Sequence, residues 1–465
     1  MKFRPYLIAF GLCFLMFIAG FAIWATHDDE PLDYSSMDIE IGPKDASING
    51  YTQLQEIGDS LEFDLDILES RSLNGEYPDP SPFAATTSFL TQAQMQALVD
   101  VNADKMAPIS NAFSRAQFQI DEMPTPEFQI YGPAEFLRYI KVSCIMARLL
   151  VISEEPDQAL EIILQLDKEI SRLSDSGGGL LHLYICIASA KITNEELTYL
   201  LAHSEPSKAA LHYALQNYPL RGQLIKNYEN SIKWEFQLAC SALELIKEKP
   251  QEIKRWIDEL EYIPGGLLTF AYKPHTTRNL LFGHISKILE NAALPYSKRI
   301  DIYPQRRPIY QMVLAGNPVG EMSATLLFPA YGGPCERALR GDIESDTVYL
   351  MLAMRLYQMD HGVLPLTLEA LAPEYIDAVP IDPFDEQPLR YDAQRAIIYS
   401  VGEDTVDSGG SGYLSRLDYN HPDYENAVDN QQIAEADDKD EPTFHIRFDL
   451  EPRDFSAADE EEQQP

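Results

Sequence analysis

Asp342 to Gly402 reads DIESDTVYLMLAMRLYQMDHGVLPLTLEALAPEYIDAVPIDPFDEQPLRYDAQRAIIYSVG, which is the most specific order of residue types in the chain. The three-to-four spacing of one helix face recurs in it at Val348, Leu352, Leu356 and Met359. Gly362 then offers the left-handed conformation that closes a helix. The first part of the stretch therefore predicts a long helix with one buried face.

The second part of the stretch predicts a short helix and a hairpin. Pro365 keeps the first helix from resuming, and Thr367 can cap a short helix that reaches Leu371. The short apolar runs at residues 389–391 and 397–401 favour two strands. The predicted order is a long helix, a short helix and a hairpin.

This order of elements and residues resembles the globular domain of the major pseudopilin of type II secretion systems. In that family a long helix is followed by a Leu-x-x-Leu helix, an Asp-Pro-aromatic corner, a tyrosine strand and a Ser-x-Gly-x-Asp loop. The matching residues are Tyr357, Asp360, Gly362, Pro365, Leu368, Leu371, Asp382, Pro383, Phe384, Tyr391, Ser400, Gly402 and Asp404. The resemblance implies a small α+β domain at residues 334–450, with a final strand from Thr443 to Phe448. Asp385 and Thr405 depart from the family, which usually has glycine at both places.

The resemblance also implies a calcium site in the loop at residues 402–410. In the major pseudopilins the loop at this place binds calcium, which implies Asp404 and Asp407 as ligands here. Two carboxylates three residues apart in a glycine-rich loop can turn inward together, and Ca²⁺ prefers oxygen ligands of this kind. The alternative is an acidic turn that is simply solvated.

The composition bounds the size and the partners of the protein. The chain has 465 residues, which is enough for two or three domains with their own cores. Its formal net charge of −37 argues against binding to nucleic acid, because phosphates require a basic surface. We therefore expect protein partners rather than nucleic acid.

The N-terminus predicts a membrane anchor. Residues 5–25 carry no charge over a length that matches the roughly 20 residues needed to span a bilayer as a helix. Lys2 and Arg4 precede this run, and acidic residues follow it from Asp28, so the body should lie on the periplasmic side of a bacterial inner membrane. A signal peptide cleaved after Ala25 is the alternative.

The middle of the chain predicts many helices with short breaks. The clearest amphipathic stripe begins after Pro156, and Thr193 with Glu196 has the pattern of a capping box that starts a new helix. No period near 34 residues is present, which favours an irregular bundle or solenoid over regular repeats. We therefore predict a mainly α protein of five segments: a transmembrane anchor at 1–27, an acidic stalk at 28–83, an α-helical domain at 84–333, a pseudopilin-like α+β domain at 334–450 and a disordered acidic tail at 451–465.

Known catalytic motifs are missing from the sequence. There is no HExxH, no Gly-x-Ser-x-Gly and no CxxC, so neither a zinc protease, a serine hydrolase elbow nor a zinc knuckle is supported. Cys144, Cys186 and Cys240 lie in apolar helical segments, which predicts buried free thiols. Cys335 follows a Gly-Gly-Pro turn and is the thiol that we expect to be exposed.

These observations favour a non-enzymatic function. We predict a single-pass, membrane-anchored scaffold or partner-binding protein, associated with machinery like that of type II secretion. Two alternatives stay open. One is an exported enzyme with an unrecognised carboxylate site, and the other is a helical-repeat adaptor whose C-terminal module binds calcium.

The predicted topology can be tested with a protease. Because the charges that flank residues 5–25 differ in sign, a protease added outside the inner membrane should digest the chain after about residue 30. Immunoblots of spheroplasts before and after permeabilisation measure this digestion. A body that is degraded only after permeabilisation of the inner membrane would contradict the predicted orientation.

Overall fold

The computed structural model describes residues 27–58, 63–65, 90–125, 132–248, 272–300, 302, 317, 320–321, 332–410 and 441–448. These residues form a mainly helical fold with a small three-stranded antiparallel sheet, as predicted. The predicted anchor at residues 5–25 and the predicted acidic tail at 451–465 lie outside the described residues. Within the described ranges, no helix has the length and apolar character needed to cross a membrane.

Nine α-helices and three strands are described. The helices are α1 (Gly50–Gly58), α2 (Gln92–Phe113), α3 (Gly132–Ile152), α4 (Pro156–Asp175), α5 (Leu180–His203), α6 (Lys208–Asn217), α7 (Gln223–Glu248), α8 (Pro274–Ala292) and α9 (Gly332–His361). The strands are β1 (Arg390–Asp392), β2 (Ile397–Tyr399) and β3 (Thr443–His445). Thr91 caps α2 with a full capping box, and α2 then continues through Pro108.

Helix α5 is the centre of the molecule. It packs against α3, α4, α7 and α9, and residues on every side of it are buried. One continuous apolar cluster includes residues from Met37 to Phe448 and joins the bundle to the sheet region. The domain boundary between residues 333 and 334 stays a prediction. Helix α9, which contains it, packs along α5, α6 and α7 as well as beside the C-terminal module.

The predicted capping box at Thr193 is wrong, because α5 runs through it without a break. The Thr193 hydroxyl donates to the carbonyl of Ala190 within the same helix. Glu196 instead forms a buried ion pair with Arg148 of α3, with Arg148 Nη2 at 2.7 Å from Glu196 Oε2. The Arg148 guanidinium also lies over the Tyr199 ring, 4.1 Å from its centroid. A residue that suggested a helix start thus serves as the partner of a buried arginine.

Part of the predicted stalk packs on the helical body. The Asp28 carboxylate accepts hydrogen bonds from the backbone amides of His275 and Thr276, at the start of α8, at 2.9 Å each. Tyr51 of α1 is fully buried against the bundle, and Met37 is buried as well. The described residues of 28–58 therefore lie on the body instead of extending away from it.

The C-terminal module follows the predicted order of elements. Gly362 has a positive φ of 76° and closes α9, and a 3₁₀ helix at Leu368–Leu371 follows it. The Thr367 side chain does not cap that helix. The strands pair antiparallel in the order β1-β2-β3, with Tyr391 opposite Ile398 and Ile398 opposite Phe444.

Arg355 joins this module to the helical body. The guanidinium lies on α9 and is almost completely buried. It donates to the carbonyl of Phe448, just after β3, at 3.1 Å and to the carbonyl of Ser204, at the end of α5, at 3.3 Å. The predicted core positions Val348, Leu352 and Leu356 on the same helix are all buried.

The cysteine predictions are mostly confirmed. Cys144, Cys186 and Cys240 are free and buried. The prediction that Cys335 is exposed is wrong, because its side chain is buried and its sulfur lies 3.2 Å from Arg299 Nη1.

The buried ion pair of α3 and α5 gives a stability test. Arg148→Met should cost about 3–5 kcal/mol, because it leaves Glu196 charged and buried without its partner. The double change Arg148→Met with Glu196→Leu should recover most of this loss, since both charges are then absent. Chemical denaturation measures both variants. Lys226→Met, which breaks an exposed pair with Asp175, is the control and should cost less than about 1 kcal/mol. A double variant as unstable as the single one would contradict this account.

Candidate functional site

The predicted calcium ligands lie on an exposed loop that is tied to arginine side chains. Asp407 Oδ2 accepts a hydrogen bond from Arg390 Nε at 2.9 Å, and Asp407 Oδ1 accepts from the Gly409 amide and the Tyr399 hydroxyl. Asp404 Oδ1 accepts from the Val406 amide of its own loop at 2.9 Å. The structure therefore places Asp407 against a guanidinium group and uses Asp404 in a local turn.

The backbone is unusual at or directly after the two positions where the resemblance to pseudopilins would place glycine. Thr405 has a positive φ of 58°, which β-branched residues rarely adopt. After Asp385, the next residue, Glu386, has a φ of 62°. Residues other than glycine thus form the turns that glycine would favour. The backbone strain of Thr405 and Glu386 must be offset by other contacts of these turns.

The residues of the loop do not fit a calcium ion well in this arrangement. A guanidinium group next to Asp407 would repel a divalent cation, and Asp407 already accepts three hydrogen bonds. Among the described residues, no group of three or more acidic, histidine or cysteine side chains is arranged to hold a metal ion. Calcium binding by Asp404 and Asp407 stays a prediction from the resemblance.

A larger candidate site is a cleft on the helical body, with a volume of 910 Å³. This size lies within the range of about 300–1,000 Å³ that is usual for ligand sites. Residues of four helices line it: Ala103, Met106, Ala107 and Ser110 of α2, Tyr139, Ser143, Met146 and Leu150 of α3, Asp157, Gln158, Glu161, Ile162, Gln165 and Lys168 among others of α4, and Ala210 and Tyr213 of α6. The spacings of three, four and seven residues on α2 explain why these side chains share one face.

The inner end of the cleft is polar. Ser110 and Gln165, which both line the cleft, donate to Glu169 Oε1 at 3.4 Å and 2.9 Å, and the Tyr139 side chain interacts with the same carboxyl group. Glu169 is 1% exposed. Burial raises the pKa of Glu169 to about 7, although the hydrogen bonds from Gln165, Tyr139 and Ser110 oppose this shift. The cleft thus has apolar walls that lead to a carboxyl group able to change charge near neutral pH.

Two other buried carboxyl groups have different surroundings. Burial raises the pKa of Asp342 to about 7, but its oxygens accept from the amides of Leu224 and Ile225 at the start of α7. Burial also raises the pKa of Asp167 to about 7, and neither of its carboxyl oxygens accepts a hydrogen bond within the described residues. None of these three acids lines the cleft itself, but Glu169 is joined to it by the hydrogen bonds from Ser110 and Gln165, which both line it.

This cleft has no local pattern in the sequence that would predict it. Its lining residues come from four helices that are far apart in sequence, and no local motif joins them. The only available signal was Glu169 itself, which lies three residues after Leu166 and four before Leu173 on the apolar stripe of α4. An acidic residue among core positions is seldom fully buried without a partner, and this could have marked it as a candidate.

The raised pKa of Glu169 predicts the pH dependence of stability. Because the folded protein holds the proton more tightly than the unfolded chain, Glu169 favours unfolding above pH 7, and this effect disappears as the pH falls below the ordinary glutamate value of 4.5. Glu169→Gln should therefore raise the free energy of unfolding at about pH 8 by up to about 3 kcal/mol and change it little at about pH 4. Denaturation at several pH values measures the difference from wild type. Glu161→Gln, at an exposed rim position, is the control. An equal effect of Glu169→Gln at both pH values would contradict the assignment.

Comparisons with known proteins found no relative. No family model matches the chain. No curated protein and no solved structure matches it either.

Proposed function

We propose that this protein is a non-enzymatic, partner-binding scaffold that takes up an apolar, basic segment of another protein in the cleft of α2, α3, α4 and α6. The observation that carries the proposal is the cleft itself, with apolar walls and with the Glu169 carboxyl behind the lining residues Ser110 and Gln165. The proposal also includes the predicted membrane anchor and the predicted association with secretion-like machinery. Both of these come from the sequence.

The shape of the cleft supports an extended or helical segment as its occupant. Its walls are formed by side chains of four helices, among them the small side chains Ala103 and Ala107 and the flexible side chains Met106 and Met146. Small residues leave room for a guest, and methionine adapts to irregular apolar shapes. Tyr213, which is half exposed at the rim, offers an aromatic surface of the kind that is enriched in protein interfaces.

The charges around the cleft support a basic segment. Asp157 and Glu161 lie at the rim, Glu169 lies behind the inner wall, and Lys168 is the only basic residue among the described lining residues. Lys168 is directed to Tyr213, with its Nζ 3.4 Å from the tyrosine hydroxyl. A net charge of −37 over the whole chain attracts cationic partners and speeds their encounter.

Photo-crosslinking from inside the cleft tests the proposal. Ala107 lines the cleft but is solvent-exposed, so a benzophenone amino acid at this position should be tolerated. In native membranes it should crosslink to a partner protein, and mass spectrometry should map the adduct to an apolar segment that contains lysine or arginine. Ala107→Trp should weaken binding of that segment at least about tenfold, which corresponds to about 1.4 kcal/mol.

Ala393 provides the matched control, since it is an exposed alanine in the turn between β1 and β2. The benzophenone at Ala393 should not give the same adduct, and Ala393→Trp should leave the affinity unchanged. Equal crosslinking from both positions, or equal affinity of both tryptophan variants, would overturn the assignment of the cleft.

Glu169 supports a second candidate, an exported enzyme. A general base works best when its pKa lies near the working pH, and the Ser110 hydroxyl lies 3.4 Å from Glu169 Oε1 as a possible nucleophile. None of the described residues that line the cleft is a histidine or a cysteine, which leaves this pair without a second catalytic group there. The scaffold is the better-supported function. A crosslinked partner that is cleaved by wild type but not by Glu169→Gln would favour the enzyme.

A further inference from the structure

We propose that the guanidinium group of Arg390 serves as the internal cation of the loop at residues 402–410, and that this loop keeps its conformation without a metal ion. The inference concerns a different region from the cleft and does not depend on the proposed function. It starts from the disagreement between the calcium site that the resemblance implies and the contacts that Asp407 makes.

Arg390 contacts a carboxylate with each of its three nitrogens. Nε lies 2.9 Å from Asp407 Oδ2, Nη1 lies 3.3 Å from Asp382 Oδ2, and Nη2 is paired with Asp385 Oδ2. The arginine side chain is 19% exposed, and Asp382 is fully buried. A planar guanidinium group can hold several oxygens in fixed directions, as a metal ion holds its ligands.

The three carboxylates come from two different segments, and Arg390 joins both to the sheet. Asp382 and Asp385 belong to the Asp-Pro-Phe corner before β1, Arg390 begins β1, and Asp407 lies on the loop after β2. Asp382 also accepts from the amides of Phe384 and Val401 and from the Ser400 hydroxyl, at 2.9–3.0 Å. Arg390 therefore connects a rigid, fully hydrogen-bonded corner to an exposed loop.

Two other arginines hold the same loop at its ends. Arg340 of α9 pairs with Glu403 at 2.7 Å, and Arg395 of the hairpin turn donates to the carbonyl of Gly409. The Ser408 amide donates to Glu441 before β3. These contacts give the loop several fixed points along its length, and they offset the unfavourable φ of Thr405.

A calcium ion would have to compete with this arrangement. Ca²⁺ needs six to eight oxygens, whereas here the oxygens of Asp407 and Asp382 are already committed to donors of the protein. Removing Arg390 from Asp407 would also leave three carboxylates close together without their common counter-charge. The arginine is part of the chain, so its binding carries no entropic cost of capturing an ion from solution.

Hydrogen exchange of the full-length protein tests this proposal locally. Deuterium uptake of the peptide that covers residues 402–410 should be the same in millimolar calcium and in chelator for wild type. Arg390→Gln should make this peptide exchange at least about tenfold faster in both solutions, because the loop loses its central contact. Adding Asp407→Asn to Arg390→Gln should change the exchange rate little further, because the contact between the two residues is already broken.

Arg337→Gln is the matched control. This exposed arginine also lies on α9 near the C-terminal module, and it stacks on Tyr184, with no carboxylate paired to it among the described residues. It should leave exchange at 402–410 unchanged. If Arg390→Gln does not fold, Asp407→Asn alone serves as the test, because it removes the most exposed of the three carboxylates and should speed exchange of the same peptide.

Two results would overturn the proposal. One is slower hydrogen exchange of the wild-type loop in calcium than in chelator, if this effect of calcium is absent from the double variant Asp404→Asn with Asp407→Asn. That result would mean that the loop is a metal site. The other is an Arg390→Gln protein that folds and exchanges at the wild-type rate, which would mean that the guanidinium does not hold the loop.

Discussion

The burial of α5 is the constraint on which the rest of the structure depends. This helix is apolar on nearly all sides, so it is stable in water only when other helices surround it. Helices α3, α4, α7 and α9 provide this cover. Its polar residues must then find partners inside the bundle, as Asn194 does with the hydroxyl of Tyr218 and with Ser345 of α9.

The same constraint produces the buried acids, and each is accommodated in a different way. Glu196 has an arginine, and Asp342 has two backbone amides at a helix start. Among the described residues, the donors at hydrogen-bonding distance from Glu169 are neutral, and two of them, Ser110 and Gln165, line the cleft. Glu169 lacks a close ion-pair partner of the kind that Glu196 has, which suits it to a functional role, whereas the contacts of the other two acids suit a structural role.

Much of the fold could be predicted from local sequence, but the candidate site could not. Gly362, the apolar spacing on α9 and the two short strands have signals within a few residues, and all three were predicted correctly. The pattern at Thr193 and Glu196 was misleading because a Thr-x-x-Glu sequence looks the same at a helix start and in a helix interior. The cleft depends on how four helices pack, and Arg390 meets carboxylates up to 17 residues away, so neither leaves a local signal.

Helix α9 links these features. One face of α9 packs along α5, α6 and α7, and its arginines reach the C-terminal module through Glu403 and the Phe448 carbonyl. Because Arg355 also contacts Ser204 at the end of α5, a shift of the module would have to break contacts with the helical body. The contacts of α9 with both parts therefore hold the C-terminal module to its own helical body.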